Sequence, residues 1–177
     1  MHSDDIHFQD HYDVEWKYVD ISVIMEPCEG KGGLYLGNSK ISQDLPFLKE
    51  NAISIILDVC GQKFVYPEDI IHCSKSIAAQ DFESYDLSQH FSECFDFIHE
   101  HRLKGHNVLV HCMAGVSRSA TIVIGYLMKT CGMDLENAYK FVRKRRTCIS
   151  PNEGFIQQLE VYEKELFPEK SSQPKQS

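Results

Sequence analysis

Residues 111–120 read His-Cys-Met-Ala-Gly-Val-Ser-Arg-Ser-Ala and follow the apolar run Asn107-Val108-Leu109-Val110 without a break. A cysteine therefore stands where a buried strand hands over to a helix. A thiol there faces unpaired backbone N–H groups and the positive end of the helix macrodipole, and both favour thiolate over thiol. The same N–H groups, in a tight turn containing Gly115, form a nest suited to a tetrahedral oxyanion such as phosphate. Arg118 can close the ring with a planar fork of donors. A plain strand-to-helix turn needs neither Cys112 nor Arg118, so a merely structural cysteine with a surface ion pair explains less. The specificity lies in the combination: a strand before, glycine within, a hydroxyl residue after the arginine and an apolar helix beyond.

The surrounding pattern predicts what carries this turn. Residues 53–59 form a β-branched apolar run bounded by polar residues, the mark of a strand buried on both faces. Residues 71–79 read as a weaker strand, and 19–25 and 33–37 as two short strands around a glycine-rich connection, a hairpin. A short helix is expected from Ser42, with Leu45, Phe47 and Leu48 inward. A long one is expected over 87–104, with Phe91, Phe95, Ile98 and Leu103 on one stripe and Gly105 closing it. The helix over 118–130 is apolar enough to require burial. Asp134 caps a helix to about residue 145, and Pro151 and Asn152 open the last, through Leu166. Alternating strands and helices give an α/β class: a central, mostly parallel sheet of about five strands flanked by helices, with its ligand site at the carboxyl ends of the strands.

The 177 residues suit one domain, with residues 1–28 as an N-terminal extension packed on it, 29–167 as the catalytic domain and 168–177 as a disordered polar tail. A net charge of −8 argues against binding nucleic acid or anionic membranes. There is no signal-peptide layout and no apolar stretch long enough to span a bilayer, and His2 excludes N-myristoylation. Seven cysteines without paired spacing point to a reducing compartment, cytoplasm or nucleus, with those other than Cys112 mostly core fillers. Cys60, Cys73 or Cys148 could protect Cys112 as a disulfide, and spacing does not choose among them. Neither His99/His101 nor His2/His7/His11 has metal-binding companions, so no metal and no cofactor are expected.

A thiolate attacking a phosphate ester leaves an oxygen that needs a proton. Asp81 is the leading acid, in a polar loop between a strand and the long helix; Asp86, just before Leu87-Ser88, suits helix capping better. The Ser119 hydroxyl can reach back to the sulfur. His111 points away from Cys112's face of the strand and ties to the loop backbone rather than acting as a base. Arg143-Lys144-Arg145-Arg146 reads first as a solvated helix end, and second as a rim for acidic or doubly phosphorylated peptides.

The run His-Cys-x-Ala-Gly-Val-Ser-Arg-Ser-Ala resembles the signature loop of the cysteine-based protein phosphatases, in the form of their dual-specificity branch. The likeness extends from Gly33 to Leu166 and includes Gly33-Leu34-Tyr35-Leu36-Gly37-Asn38, Asp81, and Ser150-Pro151-Asn152-Glu153-Gly154-Phe155. It implies Cys112 as nucleophile through a phosphocysteine intermediate, and Arg118 with the backbone of Met113, Ala114, Gly115, Val116 and Ser117 as phosphate ligands. It further implies Asp81 as acid, Ser119 stabilising the departing sulfur, and Asn152 tying the last helix to the loop. The uncharged loop interior favours protein phosphoesters over phosphoinositides. The implied partners are phosphorylated proteins, kinases among them, acted on by a small, atypical, monomeric member without a kinase-docking domain. The competing readings are a phosphoprotein-binding adaptor without hydrolysis and a sulfur transferase using a persulfide.

Overall fold

The structure, a computed structural model, describes residues 20–168. Five strands form one sheet: β1 (Ile21–Met25), β2 (Leu34–Gly37), β3 (Ile53–Asp58), β4 (Cys73–Ser76) and β5 (Asn107–His111), in the order β1-β2-β5-β3-β4. All neighbours run parallel except the β1–β2 hairpin. The α/β class with a mostly parallel five-stranded sheet is thus the observed one. The register aligns Gly37, His111 and Asp58 across the carboxyl ends of the three central strands.

The period-two alternation of these strands divides the core between the two faces. Leu36, Leu57, Val108 and Val110 join a large cluster on one face, and Tyr35, Ile56 and Leu109 a smaller one on the other. The helices are α1 (Leu45–Glu50), α2 (Phe91–Leu103), α3 (Arg118–Cys131), α4 (Leu135–Arg145) and α5 (Glu153–Leu166). Residues of α2 to α5 complete the large cluster, and Leu48 of α1 with Ile41 the small one. Every residue of α3 from Ser119 to Met128 is buried, as its apolar composition requires.

Several boundaries and one inward-facing position differ from the sequence reading, and the strand read over 71–79 is confined to Cys73–Ser76. Ile41–Gln43 is a 3-10 turn, and α1 starts only at Leu45, because the Asp44 carboxylate accepts from Phe47 N (3.0 Å) and a proline occupies the first turn. The helix expected from residue 87 begins as a 3-10 turn, Ser88–His90. There Asp86 Oδ1 accepts from Ser88 Oγ (2.6 Å), and Gln158 Oε1 of α5 accepts from Leu87 N and Ser88 N (2.8 and 2.9 Å). Leu103 is 49% exposed, and the inward position one turn after Ile98 belongs to Arg102, whose Nε donates to Gly32 O at 2.9 Å and Nη1 to Tyr126 OH at 3.0 Å. Finally, β1 belongs to the sheet, so the folded body starts before residue 29. The rest of the N-terminal segment, residues 1–19, and residues 169–177 lie outside the described residues.

Gly154, in the first turn of α5, lets that helix touch the segment after β4: a Cβ there would lie 2.0 Å from the Glu83 carbonyl oxygen. Helix propensity alone predicts that Gly154→Ala gains about 1 kcal/mol. The contact reverses the sign, and a loss of about 1–3 kcal/mol is expected, read as a lower urea midpoint at unchanged slope.

Candidate active site

Cys112 follows directly from β5 and is 1% exposed. Between it and α3 the chain turns through Gly115, whose φ of +67° is open to glycine at little cost and whose Cβ, if present, would sit 2.4 Å from Gly37 O.

The carbonyls of this loop are held outward one by one. Met113 O accepts from Ser39 N (3.1 Å), Val116 O from Ser150 N (2.9 Å) and Ser117 O from Thr121 N and Oγ1 (both 2.9 Å). Ala114 O and Gly115 O accept from Arg146 Nη2 and Nε at 3.2 and 2.7 Å. A trans peptide sends its N–H opposite its C=O, so these contacts turn the N–H groups toward the loop centre. Among the described residues, none of the backbone N–H groups of 113–118 donates to a protein acceptor. The loop is a ring of donors around the thiol, able to hold a tetrahedral anion.

The side chains expected at the site converge on this ring. Ser119 Oγ donates to Cys112 Sγ at 3.1 Å. Asp81 Oδ1 accepts from Ser117 Oγ (2.7 Å) and Asn152 Nδ2 (3.0 Å), while Oδ2 lies 3.6 Å from Arg118 Nε. Asn152 also caps α5 by accepting from Phe155 N (2.9 Å), and its own backbone N donates to Ser117 Oγ (3.2 Å). Arg118 Nη1 donates to Ala79 O at 3.0 Å, and its buried Nε has no hydrogen-bond partner. His111 is fully buried, with Nδ1 3.4 Å from Cys112 O; burial lowers its pKa from the ordinary value, offset in part by the nearby Asp58 charge, so the ring is neutral. Asp86 serves the 3-10 turn.

Two roles were invisible in the sequence. The Ser117 hydroxyl, and not only its backbone, holds Asp81. Arg146 is no part of a solvated run: Arg143, Lys144 and Arg145 are exposed, but Arg146 is 2% exposed. Helix α4 ends at Arg145, and the extended backbone of Arg146 (φ −135°, ψ 93°) turns its guanidinium beneath the loop. The cysteines also correct the reading. Apart from Cys112 only Cys94 is buried; Cys60 and Cys73 are half-buried, Cys28, Cys131 and Cys148 exposed, and all are free thiols. Burial and the bond to Asp58 push Cys60 up to about 12.

Residues 34–165 match the family described as dual specificity phosphatase, catalytic domain. Dual specificity protein phosphatase 22 of Homo sapiens is 43% identical over 132 residues, covering 75% of this chain and 71% of that protein. Dual specificity protein phosphatase 1 of Arabidopsis thaliana is 42% identical over 135 residues, 76% of this chain and 67% of that one. The crystal structure of DUSP15 superposes with a TM-score of 0.71 at 32% identity, covering 86% of this chain and 97% of that one.

Arg146→Met keeps the apolar stem but leaves the buried Gly115 carbonyl without a donor, at about 1–3 kcal/mol, and strips one from the part-buried Ala114 carbonyl as well. Lower stability in urea and at least about tenfold weaker vanadate binding by calorimetry are expected. Arg146→Lys should restore little, since an ammonium cannot reproduce the fork.

Proposed function

The chain belongs to the dual-specificity phosphatase catalytic-domain family, and from that premise we propose that it hydrolyses phosphotyrosine and phosphoserine or phosphothreonine esters on proteins through a phosphocysteine at Cys112. Cys112 Sγ attacks phosphorus in line, the ester P–O bond breaks, and Asp81 protonates the leaving oxygen. The N–H groups of Met113, Ala114, Gly115, Val116, Ser117 and Arg118 hold the equatorial oxygens, with the Arg118 guanidinium closing the ring. In the second step water attacks phosphorus, Asp81 accepts its proton, and the S–P bond breaks to release inorganic phosphate. Ser119 then supports the returning thiolate.

The observation that carries this reading is the placement of Cys112 Sγ, 3.1 Å from Ser119 Oγ, at the floor of a ring of unpartnered N–H groups to which Asp81 is tethered through Ser117 and Asn152. Met113 and Phe82, 52% and 62% exposed, add apolar surface on the loop and beside Asp81 for the alcohol portion of the ester. Unpaired thiols support residence in a reducing compartment, cytoplasm or nucleus. No helix among the described residues is long and apolar enough to cross a membrane.

The test is hydrolysis of an aryl phosphate across pH. Cys112→Ser is expected to abolish turnover. Asp81→Asn should lower kcat by about 10²-fold or more and flatten the alkaline limb, where a general acid loses its proton. A Cys112→Ser variant as active as the parent would overturn the assignment. Ser119→Ala should slow breakdown of the intermediate by about 10–100-fold, the worth of a hydrogen bond to a charged atom. Stopped-flow traces would then show a burst of released alcohol followed by slow turnover; slowing of the burst itself would place the serine in the first step instead.

A further inference from the structure

Behind the catalytic loop the carboxyl ends of β3 and β5 bring together donors that the reaction does not use. Asp58, 3% exposed, lies opposite His111 in the parallel register. Two residues on, the chain folds back so that Cys60 N and Sγ reach Asp58 Oδ1 at 2.8 and 3.0 Å, while Ser76 Oγ of β4 donates to Oδ2 at 2.7 Å. One ligand atom from each of Asp58, Cys60 and His111 lies within 4.8 Å of the others.

His111 supplies the second, independent observation. Its side chain is fully buried and Nε2 has no hydrogen-bond partner, although a buried polar atom left unmet costs about 1–3 kcal/mol. The contact of Nδ1 with the Cys112 carbonyl requires a proton on Nδ1, which leaves a bare lone pair on Nε2. A histidine that donates one N–H to a backbone carbonyl and offers its other nitrogen is the usual state of a metal ligand.

We propose that Asp58, Cys60 and His111 bind one divalent cation of the zinc class. Carboxylate oxygen, thiolate sulfur and imidazole nitrogen together are a zinc donor set, whereas calcium and magnesium require oxygen ligands throughout. Zinc bonds of about 2.0–2.3 Å put neighbouring ligand atoms about 3–4 Å apart, inside the observed spread. Binding converts the Cys60 thiol to a metal thiolate and releases one proton to solvent per ion. Of the three ligands Cys60 is the most exposed, and Asp58 also borders a cavity of about 280 Å³ lined by Gln62, Lys63, Tyr66, Lys75 and Ser76, where the Lys75 charge is met by Glu93 Oε2 at 2.8 Å. Three protein ligands leave the fourth position to water.

The experiment is titration of the reduced full chain with Co²⁺. Expected are a near-ultraviolet thiolate-to-cobalt charge-transfer band and intense visible bands of tetrahedral cobalt, saturating at one ion per chain and displaced by Zn²⁺. Both should persist in Cys112→Ser, vanish in Cys60→Ala, and need about 10–100-fold more metal in Asp58→Asn. A band that vanishes in Cys112→Ser and survives in Cys60→Ala would put the ion on the nucleophile and overturn the site, as would no band at all. Should Cys60→Ala fail to fold, alkylation of the unmodified protein decides: Zn²⁺ should protect Cys60 from iodoacetamide, and equal labelling with and without the ion rejects the proposal.

Discussion

Successive peptide groups that all point their N–H ends at one centre repel one another, and the loop from Cys112 to Arg118 does little else. Such an arrangement lasts only if each outward carbonyl meets a donor. The donors come from scattered places: Ser39 beyond β2, Ser150 before α5, Thr121 within α3, and Arg146 just past α4. A neutral hydrogen bond here nets about 0.5–1.5 kcal/mol and one from a guanidinium about 1.5–3. No single contact holds the ring. The convergence of β2, α3, α4 and α5 behind one turn does, so the site is a property of the whole domain.

The Asp81 carboxylate is tied to the same ring. Asp81 Oδ1 is occupied by the Ser117 hydroxyl and the Asn152 amide, while Oδ2 takes part in no hydrogen bond among the described residues. Arg118 stands 3.6 Å from Oδ2 and also spans to the Ala79 carbonyl. With Asp81 35% exposed on its side chain, that ion pair is screened by solvent and weak, so the two hydrogen bonds at Oδ1 position the carboxyl.

Strands β3 and β5, the buried helix α3, and the caps Asp134 and Asn152 were legible because each depends on composition and spacing within a few residues. Cys112, Arg118 and Ser119 were legible for the same reason, being fixed relative to one another by a single turn. Arg146 was not. Its acceptors are main-chain carbonyls 31 and 32 residues earlier, and a carbonyl leaves no mark in the sequence. Nor was the meeting of Asp58 with His111, which follows from a parallel strand register that neither strand specifies alone. The 3-10 turn at Ser88–His90 escaped notice because Gln158, 70 residues away, takes over the N–H groups that a longer helix would have started from.

What joins the core to the chemistry is α3. Its first turn supplies N–H groups and dipole to the ring, and these act on an anion only while the helix axis points at Cys112. Burial enforces that direction. Val123 and Leu127 lie in the large cluster with Phe95 of α2 and Phe155 and Leu159 of α5, and Gly125 lets α3 approach so closely that a Cβ there would meet the Phe95 ring at 2.5 Å. A polar or loosely packed helix could swing by a fraction of a turn and spread its N–H groups over solvent. Packed as it is, α3 keeps its orientation at the cost of sequence freedom along nearly its whole length, and the field at the thiol is therefore set by the apolar contacts of residues that never approach a substrate.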